Sequence, residues 1–156
     1  MILPQFYTDD IIKRAILEDI NYVDVASDYL ISEEQRDEAY FVSKADGVLC
    51  GIDVAMRVFE LLDDSFTAKV YMHDGDKVKK GDLIAEFSGK TTLLLKGERT
   101  ALNLLQHMSG IATATAKAVK LCEGTKASIA DKKDPSVSAR PSKIRGNLRR
   151  RQKPPF

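Results

Sequence analysis

The run from Lys96 to Thr113, KGERTALNLLQHMSGIAT, constrains this chain more than any other stretch. Ala101, Leu104, Leu105 and Met108 recur at spacings of three and four, which places them on one face of a helix. Arg99, Asn103 and Gln106 form a second row at the same spacings. The pattern predicts a helix from about Glu98 toward Cys122, bent near Ser109-Gly110, with Gly124 placed to cap its C-terminus. Nothing local explains a Glu, an Arg and an Asn in its first turns. A guanidinium on a covered helix end needs an anion, because an unpaired buried charge is very costly.

The rest of the chain must supply what this helix packs against. Residues 1–7 read as an extended lead-in, and Thr8 with Asp9 and Asp10 as the start of a first helix through Ile11, Ile12, Ala15 and Ile16. Tyr40-Phe41-Val42 and Val48-Leu49-Cys50 flank the turn signal Asp46-Gly47, so two strands in a hairpin are expected. A second helix runs from after Gly51 through Ala55, Val58, Phe59 and Leu62, stopped by Asp63-Asp64-Ser65. Strands are expected at 66–72 and 83–87, with turns at His73–Asp76 and Lys80–Asp82. Ser88-Gly89-Lys90 reads as a turn into a further strand at Thr91–Leu95, and Lys126–Ala130 as one more. Helix, strands, helix, strands, helix is the order of an α+β fold, a helix-covered, largely antiparallel sheet followed by a long helix.

Several pieces resemble one family. GERTALNLLQHMSGIAT looks like the signature of quinolinate phosphoribosyltransferase, the carboxylating nicotinate-nucleotide pyrophosphorylase. Leu17-Glu18-Asp19-Ile20 with Asp24-Val25-Ala26-Ser27, Ala45-Asp46-Gly47-Val48-Leu49-Cys50-Gly51, and Asp74-Gly75-Asp76 with Lys80-Gly81-Asp82 agree with it. The resemblance covers about residues 8–131. It implies an N-terminal α+β sandwich over 1–112, the start of a truncated α/β barrel over 113–131, and a divergent tail over 132–156. It also implies that Arg99 binds quinolinate, a dicarboxylate, reaching into the neighbouring subunit of a homodimer. Planar guanidinium suits that task, since it meets a carboxylate with two parallel hydrogen bonds. Glu98, Asn103 and Ser109 are supporting candidates.

The resemblance breaks after Asp131. The family continues with a Thr-Arg-Lys-Thr motif whose Arg and Lys bind substrate; here Lys132, Lys133, Asp134 and Pro135 follow. Lys132 and Lys133 are candidates for substrate contact only as positive charges. Residues 132–156 hold nine Lys or Arg and one acid, while the first 131 hold the other fifteen bases and twenty-two acids. An overall charge of +1 thus hides an acidic body and a basic, proline-rich tail. That tail suits loop or disorder more than a nucleic-acid surface, because no aromatic residues interleave before Phe156.

Other classes fit less well. Asp74–Ala85 resembles the turn of lipoyl and biotinyl carriers, but no modifiable hairpin tip accompanies Lys90. Gly89-Lys90-Thr91 lacks the upstream glycine of a phosphate loop. Cys50 and Cys122 suggest no disulfide scaffold, and no Cys/His spacing suits a metal cluster. No apolar run is long enough for a membrane span, and the opening lacks signal-peptide character. A cytoplasmic chain is expected, with Mg²⁺ entering only with phosphoribosyl pyrophosphate, as the family implies. Two alternatives stand beside the family reading: a non-catalytic interaction or relic domain, and a related molybdenum-transport-associated transferase. Without the family's barrel, the isolated chain is expected to be inactive.

Overall fold

The computed structural model describes residues 4–19, 30–127 and 129. In order they form α1 (Gln5–Asp19), β1 (Arg36–Val42), β2 (Gly47–Val48), α2 (Ile52–Glu60), β3 (Thr67–Val70), β4 (Lys77–Val78), β5 (Leu83–Lys90) and α3 (Thr91–Cys122). The α+β class is as the sequence implies, and all described strand pairs are antiparallel.

β5 is the middle strand of the main sheet, ordered β1-β5-β3. Its inward residues are Ala85, Phe87 and Gly89, alternating with exposed or half-buried Glu86, Ser88 and Lys90. The alternation slips once. Phe41 lies opposite Ala85 but Val42 lies opposite Leu83, so Ile84 is the extra residue of a bulge. The slip turns Ile84 inward and leaves Leu83 exposed, as a one-residue register change must. The inner face packs on α2 and α3 through Phe41, Phe59, Phe87, Leu94 and Leu105. α1 adds Ile12 and Ile16 to the same core.

Three expectations are corrected. α1 begins at Gln5, because the carbonyl of Pro4 accepts from the N–H of Tyr7 and of Thr8 at 3.0 and 3.3 Å. Thr8 is therefore inside the helix, and Asp9 is used elsewhere. The hairpin of β1 and β2 does not form: β1 pairs with β5, and β2 pairs with β4. No strand forms at Thr91–Leu95. β5 passes straight into α3, with the Thr91 N–H bonded to the carbonyl of Gln35 and its hydroxyl to Asp37. α3 runs through Ser109 and Gly110 as one continuous helix. The Gly124 cap is as expected, with φ +80°. Of the expected strand at Lys126–Ala130, the described residues 126, 127 and 129 are not in a strand, and the others lie outside the described residues.

The acidic turns hold the frame together. Asp74 Oδ1 accepts from the N–H groups of Gly51 and Ile52 at 2.7 and 3.0 Å, capping α2 from a distant loop. Asp46, Asp76 and Asp82 each accept a backbone N–H in the same region. Gly51 is required where α2 begins. Its φ is +96°, and an added Cβ would lie 2.6 Å from Met108 Sδ.

Candidate functional site

α1 ends on Glu18 and Asp19, with no base in its last turn. The carbonyl end of a helix carries partial negative charge, so two carboxylates there are locally unfavourable. The compensation comes from α3. Arg99 Nη1 donates to Asp19 Oδ1 at 3.3 Å, across the seam between the two helices. The Arg99 side chain is 76% exposed and that of Asp19 is 23% exposed. Among the described residues Arg99 is thus an outward cation tethered by one contact, not a covered one.

Its neighbours in sequence face other ways, because successive helical residues are turned by about 100°. Glu98 lies on the rim of a cavity of about 920 Å³ between β1, β2 and α3. Phe41, Leu49, Leu94, Leu102 and Leu105 make its lining largely apolar. Arg99 does not line it. Asn103 is exposed on the α3 surface. Ser109 is structural: its Oγ accepts from the N–H of Cys50 at 3.0 Å and donates to the Cys50 carbonyl at 3.2 Å. One turn on, Thr113 Oγ1 accepts from the Val48 N–H at 2.9 Å. These two hydroxyls hold the β2 segment against α3. Gly97 of the same signature is a packing residue, since a Cβ there would meet the Phe59 ring at 2.9 Å. Lys132 and Lys133 lie outside the described residues.

Two carboxylates escaped the sequence reading. Asp19 enters it only as part of the Leu17–Ile20 resemblance; its own signal is an acid at the wrong pole of α1. Asp63 was read as a helix stop, but it is buried. Its oxygens accept from the Ser65 hydroxyl and N–H and from the Lys90 N–H. Burial pushes its carboxyl up, yet those donors and the Arg36 charge outweigh it and hold the group below the ordinary carboxylate value. Asp9 is lowered too, chiefly by its hydrogen bonds from Arg57.

Among the described residues no group of three or more His, Cys, Asp or Glu side chains converges. Among those residues, too, no helix is long and apolar enough to cross a membrane.

A small antiparallel sheet packed against a 32-residue helix places the described residues in the α+β class. Residues 24–109 match the model of the family described as "Quinolinate phosphoribosyl transferase, N-terminal domain", and the chain belongs to that family. It is 38% identical over 121 residues to a probable carboxylating nicotinate-nucleotide pyrophosphorylase of Bacillus subtilis, covering 78% of this chain and 42% of that protein. It is 37% identical over 113 residues to the chloroplastic nicotinate-nucleotide pyrophosphorylase of Arabidopsis thaliana, covering 72% and 32%. The crystal structure of NadC from Streptococcus pyogenes superposes with a TM-score of 0.72 at 38% identity, over 76% of this chain and 43% of that one. The chain spans less than half the length of these relatives.

Proposed function

We propose that this chain supplies the N-terminal domain of a quinolinate phosphoribosyltransferase, with Arg99 as its contribution to the site for the dicarboxylate. The reaction of that reading joins quinolinate to phosphoribosyl pyrophosphate. It yields nicotinate mononucleotide, CO2 and pyrophosphate, for NAD synthesis. Such a site works by holding anions in place while positive charge develops at the ribosyl carbon, so its catalysis is mainly orientation and electrostatics. Mg²⁺ enters with the pyrophosphate group. Arg99 carries the proposal because it stands out from the N-terminal half of α3 on one long contact to Asp19, able to turn toward a second carboxylate. Glu98 and Asn103 flank it; Ser109 supports it by fixing the β2 segment. Lys132 and Lys133 remain proposed as added positive charge near the same anions.

Calorimetry with quinolinate tests this. Wild type is expected to bind weakly without turnover, and Arg99→Ala to lose about tenfold or more in affinity, since hydrogen bonds to a charged group are worth about 1.5–3 kcal/mol. Equal heats from both chains, or turnover of quinolinate to nicotinate mononucleotide and CO2 by this chain alone, would overturn it.

We further propose a cytoplasmic homodimer. The open apolar cavity beside α3 supports it, because monomers rarely leave such a surface uncovered. Light scattering is expected to give twice the chain mass, and a clean monomer would count against it. The same cavity favours the second reading, a non-catalytic interaction domain. That reading predicts association with no quinolinate heat.

A further inference from the structure

We propose that Asp19 is an internal competitor for the carboxylate that Arg99 binds, holding the guanidinium in the free chain and yielding it when a dicarboxylate arrives. This deepens the reading of Arg99 given above and rests on it.

The chain itself supplies the comparison. Arg57 meets Asp9 through two parallel bonds, Nε to Oδ1 and Nη2 to Oδ2, both 2.9 Å. Both of those side chains are mostly covered, and Arg57 also binds Glu60 at 2.9 Å. That is a structural clamp, and its geometry is that of strong charge-assisted pairs. Arg99 and Asp19 are the same pair of residue types used differently. Their contact is 3.3 Å, longer than the usual 2.7–2.9 Å of such bonds, and most of the guanidinium is in water. An exposed pair of this kind contributes little. A ligand carboxylate that takes the fork through two parallel bonds therefore displaces Asp19 at small cost.

Asp19 is the better anchored partner. It is the less exposed of the two, and it sits at the end of α1, whose Ile12 and Ile16 are in the core. Displacement then means that Arg99 swings while Asp19 stays. Once vacated, Asp19 is a fixed negative charge close to the bound anion. It weakens binding of a dianion more than of a monoanion. It also holds Arg99 at the α1–α3 seam until the anion comes, while the guanidinium offsets the acids at the carbonyl pole of α1.

The test labels the full chain with ¹⁵N-arginine and follows the Arg99 side-chain resonance, assigned by its loss in Arg99→Lys. Quinolinate and nicotinate are titrated into wild type and Asp19→Asn. Asp19→Asn removes an acid from a helix C-terminus, so it should fold; a circular-dichroism melt checks this. Asp19→Asn is expected to bind quinolinate roughly two- to fivefold more tightly than wild type, the range of an exposed ion pair. The gain should be smaller for nicotinate and should shrink from about 0.05 M to about 0.5 M salt. If quinolinate moves the Arg99 resonance equally well or less well in Asp19→Asn, this inference is overturned while the function reading stands. If quinolinate leaves Arg99 unmoved in both chains, both fall.

Discussion

Phe59→Ala is expected to lower the unfolding free energy by about 3–5 kcal/mol, the usual loss for a buried Phe whose cavity does not collapse. Phe59 is 1% exposed and lies where both helices meet the sheet. Its ring centroid is 5.0 Å from that of Phe87, 5.3 Å from Phe66 and 6.2 Å from Phe41. On the other side, α3 comes close enough that only Gly97 fits against the ring. Collapse into the space is therefore resisted by the sheet and by the α3 backbone at once. Domains of this size are stable by only about 5–15 kcal/mol, so the loss is a large share of the total. Urea unfolding is the measurement, with Phe6→Ala as control. Phe6 is exposed, and its removal should cost less than about 0.5 kcal/mol. A shift under about 1 kcal/mol for Phe59→Ala would mean that the aromatic cluster is not the keystone of this fold.

The sequence made the core of α3 legible and hid its beginning. Ala101, Leu104, Leu105 and Met108 are all buried, as their spacing requires. The same face extends back through Gly97, Leu94 and Thr91. But Thr91-Thr92-Leu93-Leu94-Leu95 is β-branched and then continuously apolar, which reads equally well as a buried strand. What decides for helix is tertiary: the Thr91 hydroxyl has its partner in Asp37, far back in the chain. The missed hairpin has a similar cause. Alternation says that β1 and β2 are strands, but it does not say with which neighbour each pairs. Asp74 was visible as a turn residue, whereas its use as the cap of α2 depends on two loops meeting in space.

The candidate site divides along the same line. Arg99 stood out because a guanidinium amid an apolar pattern needs a reason. Its exposure did not follow from the pattern, since a helix covered on one side still has a free flank. Ser109 looked like a weak site residue and proves to be a side-chain partner for the backbone of Cys50. The sequence shows Asp19 only as one residue of a family-like piece. Only the packing of α1 against α3 makes it the partner of Arg99.

Asp63→Ala should destabilise the chain by about 2–4 kcal/mol at neutral pH, because it strands two backbone donors and a hydroxyl in a buried place. Asp63 is 6% exposed and ties three segments together. It accepts from Ser65 in its own loop and from the N–H of Lys90, the residue before α3. Through Ser65 it also reaches Arg36 at the start of β1, which donates to the Ser65 hydroxyl and carbonyl. Gly89 is small for the same reason, since a Cβ there would lie 2.9 Å from Asp63 Oδ2. The pH dependence separates charge from shape. The folded-state carboxyl sits below its unfolded value of about 3.9, so its stabilisation is complete well above that value. It is lost as pH falls from about 4 through the lowered folded pKa. Asp9, also lowered, is present in both chains and largely cancels from their difference. Wild type and Asp63→Ala should therefore differ by a constant amount from about pH 5 to 8, and the gap should narrow as pH falls below about 4. A gap unchanged down to about pH 2 would show that the side chain acts by filling space. Narrowing would show that the ionised carboxylate itself stabilises the junction of β5 and α3, where it accepts from the Lys90 N–H.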